Sequence, residues 1–204
     1  MSKKEAILQV ATQLFCEKGF KNTSMAELSK YTGAAEGTIF YHFKNKEKLF
    51  LSILENLKEN IVDESDCYVA KSQFETGLGM MEGVISFFFG LAGSMEGRFL
   101  LLHRHDAYEL AEVNPICRGL LEDIYSCLVD IFEQAILRGQ KDGSIGDMPA
   151  RKTALIIFAM VDGLVRLKTY NLYDAGALYN ELVEACRRML HNTQISQTVS
   201  LNAH

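Results

Sequence analysis

ILQVATQLFCEKGFKNTSMAELSKYTGAAEGTIFYHFKNKEKLFLSIL, residues 7–54, is the stretch on which the fold turns. Ile7, Ala11 and Leu14 recur at helical spacing, as do Leu8, Ala11 and Phe15. They predict a first helix over 3–18, ended by Gly19. Ser24-Met25-Ala26-Glu27 has the form of a capping box and opens a second, short helix to about 31. Gly33 makes the turn into a third helix over 35–42. Asn45 stands where it can cap a fourth, whose face Leu49, Ile53, Leu57, Ile61 keeps the 3.6 period. Two short helices joined at a glycine turn read as a helix-turn-helix. The small residues that open the third helix let its backbone approach base edges. The aromatic, histidine and lysine side chains that close it reach phosphates.

The rest of the composition agrees with such a reading without requiring it. The 204 residues are 48% hydrophobic and 23% charged, with a mean hydropathy of +0.01. That suits a globular chain of one or two domains. Only 2 prolines, Pro115 and Pro149, interrupt long runs of helix formers, which predicts an all-α fold. The apolar run around 84–92 contains Ser86 and Gly90 and is too short to span a bilayer. Glu5 and Gln9 spoil the first residues as a signal peptide, so a cytoplasmic protein with no membrane partner is expected. The 5 cysteines form no C-x-x-C pair and point to neither a disulfide framework nor a zinc site. Charge is uneven. Residues 1–50 hold 8 lysines against 5 glutamates, and the remainder holds 13 Lys and Arg against 21 Asp and Glu. A basic head on an acidic body fits contact with a polyanion at one end.

Beyond about residue 73 the predicted helices are longer and more apolar, at 74–92, 96–110, 116–140, 150–171 and 175–191. KDGSIGDMP, 141–149, is the clearest loop, and the polar tail from Thr193 has no pattern and is expected to fray. No Gly/Pro/Ser-rich linker separates the head from the body, so their boundary is expected inside the fourth helix.

Leu14-Phe15 with Gly19-Phe20, Thr23-Ser24, and GTIFYHFKNKEKL at 37–49 resemble the DNA-binding domain of TetR/AcrR-type transcriptional regulators. The resemblance covers about the first quarter of the chain. It implies a helix-turn-helix domain over 1–48, a larger antiparallel helical domain for ligand binding and dimerisation over 49–192, and a frayed tail over 193–204. It implies a homodimeric repressor of a double-stranded, palindromic operator, released by a small molecule. No HExxH, no Glu-x-x-His pair and no nucleophile–base pattern points to an enzyme, and no cofactor is expected. Carried over residue by residue, Ala35, Glu36 and Thr38 face base edges. Tyr41, His42 and Lys46 hold phosphates, and Thr23 and Ser24 add contacts through a helix N-terminus. Phe40 stands where the family often has a tyrosine. That removes one hydroxyl and leaves Phe40 divided between the DNA face and the core.

Plainer roles compete with these. Phe15, Leu28, Ile39, Phe43 and Leu49 are expected in the core of the head. Glu36 reads a cytosine amino group or simply complements the helix dipole. In the body, Phe88, Phe99, His103, Tyr125 and Asp162 are the candidates for lining an apolar or aromatic effector site, helped by room at Gly79, Gly83, Gly90 and Gly93. His103 and His105 lie two apart on a helix and diverge, so no metal is expected there. The stretch 154–171 is apolar almost all round and, with 175–191, is expected to form half of a dimer interface, with Val161 and Leu164 at the contact. The alternative is a helical-bundle binding protein or adaptor without DNA binding.

Overall fold

The computed structural model describes residues 2–191, apart from the side chains of Glu96 and Ala175. The expected frayed tail lies outside the described residues. The described chain is helical and without strands: α1 Lys3–Lys18, α2 Met25–Thr32, α3 Glu36–Phe43, α4 Lys46–Lys71, α5 Gly77–Ser94, α6 Glu96–His103, α7 His105–Val113, α8 Pro115–Asp142, α9 Ala150–Thr169, a 3-10 turn Ala175–Leu178, and α10 Tyr179–Leu190.

The helices form two compact units. One holds the chain up to Asp63 and Met95–Tyr125. The other holds Glu64–Ser94 and the chain from Ser126. The division near Asp63 falls inside α4.

In the first unit the ends are set by local chemistry. Ser2 and Glu5 form a reciprocal capping box on α1, a signal the sequence reading passed over. Gly19 closes α1 at φ 87, and its amide donates to the Phe15 carbonyl. At Ser24 only half of the expected box forms. Its hydroxyl accepts from the Glu27 amide, but the Glu27 carboxylate turns to Lys18 instead. Asn45 Oδ1 caps α4 by accepting from the Lys48 amide at 2.8 Å. Phe15, Phe20 and Phe50 pack ring on ring at 5.2–5.8 Å between centroids. Around them Ile7, Ala11, Leu28, Ile39, Phe43 and Leu49 are buried. Each of the large side chains removed from water contributes about 1.5–3 kcal/mol, and Ala11 less. α6 packs on α1 within this unit.

The helix expected over 96–110 is broken. Arg104 leaves helical geometry at φ −79, ψ 143, and α6 and α7 meet there. The break frees Arg104 and Asp106 to reach the end of α1, contacts far away in sequence.

The second unit is built on Phe88 of α5, Phe132 of α8 and Phe158 of α9, whose rings meet at 5.6–6.2 Å. Gly77 lets α5 start directly against Gly139 of α8, where a Cβ would strike backbone. By length and composition α5 could cross a membrane. It buries Met80, Met81, Val84, Ile85, Phe88, Leu91 and Ala92 within this unit.

Candidate nucleic-acid interface

The α2–α3 turn is held from both sides. Gly33 adopts φ 66, ψ 6, a left-handed conformation, with nothing within 4 Å of where a Cβ would sit. Glycine is therefore required there by backbone angle and not by space. Ser29 Oγ donates to the Ala34 carbonyl at 2.7 Å, and Thr32 Oγ1 accepts from the Ala34 amide at 3.2 Å. α3 then turns Ile39 and Phe43 inward. Ala35, Glu36, Gly37, Phe40 and Tyr41 face solvent, with Thr38 and His42 half-buried. Tyr41 is 83% exposed and Phe40 41%, so Phe40 belongs more to the surface than to the core.

The two residues at the start of α2 differ. Thr23 is buried, and its hydroxyl donates to the Gly19 carbonyl at 2.9 Å, so its side chain holds the loop. Ser24 is exposed and caps α2. The first-turn amides of that helix supply the donors suited to an anion.

Lys46 has partners other than those the sequence suggested. Its Nζ donates to the carbonyls of Phe20 at 2.7 Å, Thr23 at 2.9 Å and Lys21 at 3.3 Å, and lies 4.6 Å from the centre of the Phe20 ring. An ammonium has three protons, and all three are engaged. Burial pushes its pKa below the usual lysine value, opposed by the nearby Asp106 carboxylate. The exposed cations on this side are Lys44 and Lys48. With His42 they line a groove of about 340 Å³ floored by Phe43, Leu51 and Ile116, with Ser52 and Glu55 at its side.

The five effector candidates do not fall in one unit. Phe88 and half-buried Asp162 belong to the second, whereas Phe99, His103 and Tyr125 belong to the first. Phe99 and His103 are buried with their rings 6.5 Å apart, and the Tyr125 hydroxyl is bonded to that of Tyr108 at 2.7 Å. The glycines expected to open room between helices do not do so. Gly79, Gly90 and Gly93 face solvent, and Gly83 sits under the rings of Phe74 and Tyr68. His103 is buried while His105 is exposed beside Glu109, so the two do diverge.

On α9, Val161 is fully buried in its own unit, which corrects its expected place at a subunit contact. The exposed apolar face lies elsewhere. It comprises Leu155, Ile156, Leu167 and Tyr170, with open space beside Gly163. Large apolar side chains gathered on one helix face mark a surface that another body covers.

Arg104 and Asp106, which grip the end of α1, were missed by the sequence reading. They lie 88 and 86 residues from their partners, beyond any local signal.

Residues 7–53 match the family model described as bacterial regulatory proteins, tetR family. The fatty acid metabolism regulator protein of Bacillus subtilis is 24% identical over 189 residues, spanning 91% of this chain and 94% of its own. A transcriptional regulator from Saccharomonospora viridis, solved in complex with choline, shares the fold. Its TM-score is 0.78 at 20% identity, over 89% of this chain and 93% of that one. The regulator FadR from Bacillus subtilis, solved in complex with stearoyl-CoA, does so with a TM-score of 0.73 at 22% identity, over 92% and 99%.

Proposed function

We propose that the chain is a TetR-type transcriptional regulator and not an enzyme, and that it is a cytoplasmic, homodimeric repressor released from a palindromic operator by a small molecule. The observation that carries this reading is the outward face of α3, Ala35, Glu36, Gly37, Phe40 and Tyr41, set on a left-handed glycine turn in the basic part of the chain. Ala35, Glu36 and Thr38 approach base edges. Tyr41, His42, Lys44 and Lys48 hold phosphates, and Ser24 brings the N-terminus of α2 to the backbone. Lys46 supports the loop behind them.

Residues 1–48 read DNA, and 49–192 serve the effector and the partner subunit. Two reading heads must be fixed about 34 Å apart, or at a multiple of that, to span two half-sites. The exposed face of α9, with α10 beside it, is the surface for the second copy. The effector is mainly apolar or aromatic, held in the helical body among residues that include Phe88. A long-chain acyl-CoA is the first compound to try, because a relative of full length is named for fatty acid metabolism and a structural neighbour holds stearoyl-CoA. The effector acts by its difference in affinity for the DNA-bound and released states.

A salt series on a duplex selected from a randomised library tests the reading. Binding should fall steeply as salt rises, because phosphate contacts release counterions. A chain that binds no duplex at low salt would instead be a binding module or adaptor that keeps the fold alone.

A further inference from the structure

The end of α1 and the loop into α2 are gripped from residues 97–109, a part of the chain that no DNA-reading motif includes. Asp106 Oδ2 accepts from the Phe20 amide at 2.9 Å. Arg104 donates to the Cys16 carbonyl at 2.9 Å, and its guanidinium lies 3.8 Å from Asp106. Lys21 pairs with Glu109 at 2.7 Å. Cys16 Sγ donates to the Gly97 carbonyl at 2.6 Å. The fit is tight: at Gly19, already at φ 87, a Cβ would lie 2.7 Å from Asp106 Oδ2.

The gripped loop has a particular place in the head. It ends at Ser24, the cap of α2, and α2 passes through the hydrogen-bonded Gly33 turn into α3. Its other side is fixed by Lys46, the first residue of α4. A shift of the loop therefore moves the α2 N-terminus and the reading helix together. The break at Arg104 is what makes the grip possible, since an unbroken helix over 96–110 would carry Arg104 and Asp106 round to different faces.

We propose that Asp106 and Arg104 are positioning residues for DNA reading, holding the α1–α2 loop so that α2 and α3 meet the duplex in register without themselves touching it. The proposal rests on the DNA-reading function above and names a part of it that lies outside the head. It makes the α6–α7 junction a point at which any rearrangement of residues 95–113 is felt at the reading helix. By linkage, DNA binding must stabilise that junction in return.

The test compares Asp106→Ala with the isosteric Asp106→Asn, which keeps an oxygen for the Phe20 amide. In the free protein, well below its melting temperature, Asp106→Ala should speed exchange of the Phe20 amide about tenfold and leave those of Leu28 and Ile39 unchanged. Affinity for a duplex selected from a randomised library should fall about tenfold, within the range of site-to-site coupling. The loss should be the same at every salt concentration, because no phosphate contact is removed. Asp106→Asn should stay within about threefold of wild type in both measurements. Faster exchange at every core amide would mark a general structural role and overturn the proposal, as would wild-type affinity in Asp106→Ala. A wild-type chain that binds no duplex would sink the functional reading itself, and this inference with it. If the wild type binds and Asp106→Ala binds equally well, only the positioning role is lost.

Discussion

Lys46→Met separates a residue that touches DNA from one that shapes the surface touching it. Methionine keeps most of the stem that lies against the Phe20 ring and deletes the ammonium. Three carbonyls then lose a donor. The Lys21 carbonyl contact is exposed and water can replace it, but those at Phe20 and Thr23 are partly buried. Two charge-assisted bonds are worth at most roughly 3–6 kcal/mol, and less in a partly exposed setting. The relief of a partly buried ammonium offsets part of that, consistent with the downward push on its pKa. A net loss of about 1–2 kcal/mol is expected, which for a chain of this size lowers Tm by roughly 2–8 °C. Duplex affinity should fall as the loop loosens, with the slope of log affinity against log salt unchanged. Lys48→Met should do the reverse, leaving Tm alone and lowering the slope by about 0.9 for a phosphate contact. Differential scanning calorimetry and a fluorescence-anisotropy salt series read both quantities. A Lys46→Met protein with unchanged Tm and a slope reduced by about one would show that Lys46 leaves its carbonyls to bind phosphate, and would refute this reasoning.

Tyr41→Phe removes one exposed hydroxyl and should weaken binding to operator and random duplex alike by severalfold, with no change in Tm; weakening confined to the operator would show that Tyr41 reads bases. Ile156→Glu places a charge on the outward face of α9 and should convert a dimer to a monomer in sedimentation, whereas an unaltered dimer would put the interface elsewhere. At pH 8 an aromatic disulfide reagent should modify exposed Cys67 well before Cys16, Cys117 or Cys186, and rapid labelling of Cys16 in the folded protein would contradict its burial. Burial pushes the Cys16 thiol up to about 12 and those of Cys117 and Cys186 to about 11, from an ordinary 9.0. Between about pH 9 and 12 the unfolded chain therefore sheds protons that the folded chain keeps, so this part of the stability is intact below 9 and lost as pH rises. The fall in urea midpoint between pH 8 and 10.5 should be smaller in Cys16→Ala than in wild type.

The head was legible in the sequence because its determinants are local. Gly19 and Gly33 sit where the backbone takes positive φ. Ser24 and Asn45 cap the helices they precede, and Phe15, Leu28, Ile39, Phe43 and Leu49 are buried as their spacing predicts. What the sequence did not show in the same stretch is long-range. Lys46 looks like any surface lysine at a helix start, and only the return of the α1–α2 loop brings three carbonyls to it. Glu27 has the spacing of a capping box, yet a lysine nine residues back competes for its carboxylate. The break at Arg104 has no glycine or proline to announce it. Its partners at Cys16 and Phe20 are more than eighty residues away.

The effector chemistry was less legible for a different reason. Apolar residues at helical spacing are the same signal whether they fill a core or line a cavity, since both need large side chains facing inward. Phe88 illustrates it: its ring is enclosed by Phe132 and Phe158, as either role would require. The glycines of α5 offered a way to choose, because glycines between helices leave space. Three of them, Gly79, Gly90 and Gly93, face outward, and a glycine facing solvent says nothing about the interior. Asp162 is more informative than any aromatic. It is a half-buried carboxylate on α9, whose other charged residues, Arg151, Lys152, Arg166 and Lys168, lie toward the helix ends. Asp162→Asn keeps the shape and removes the charge, so a role in ligand binding predicts a larger change in affinity for a cationic compound than for a fatty acyl chain. Equal effects on both would show that Asp162 serves the fold and not the ligand.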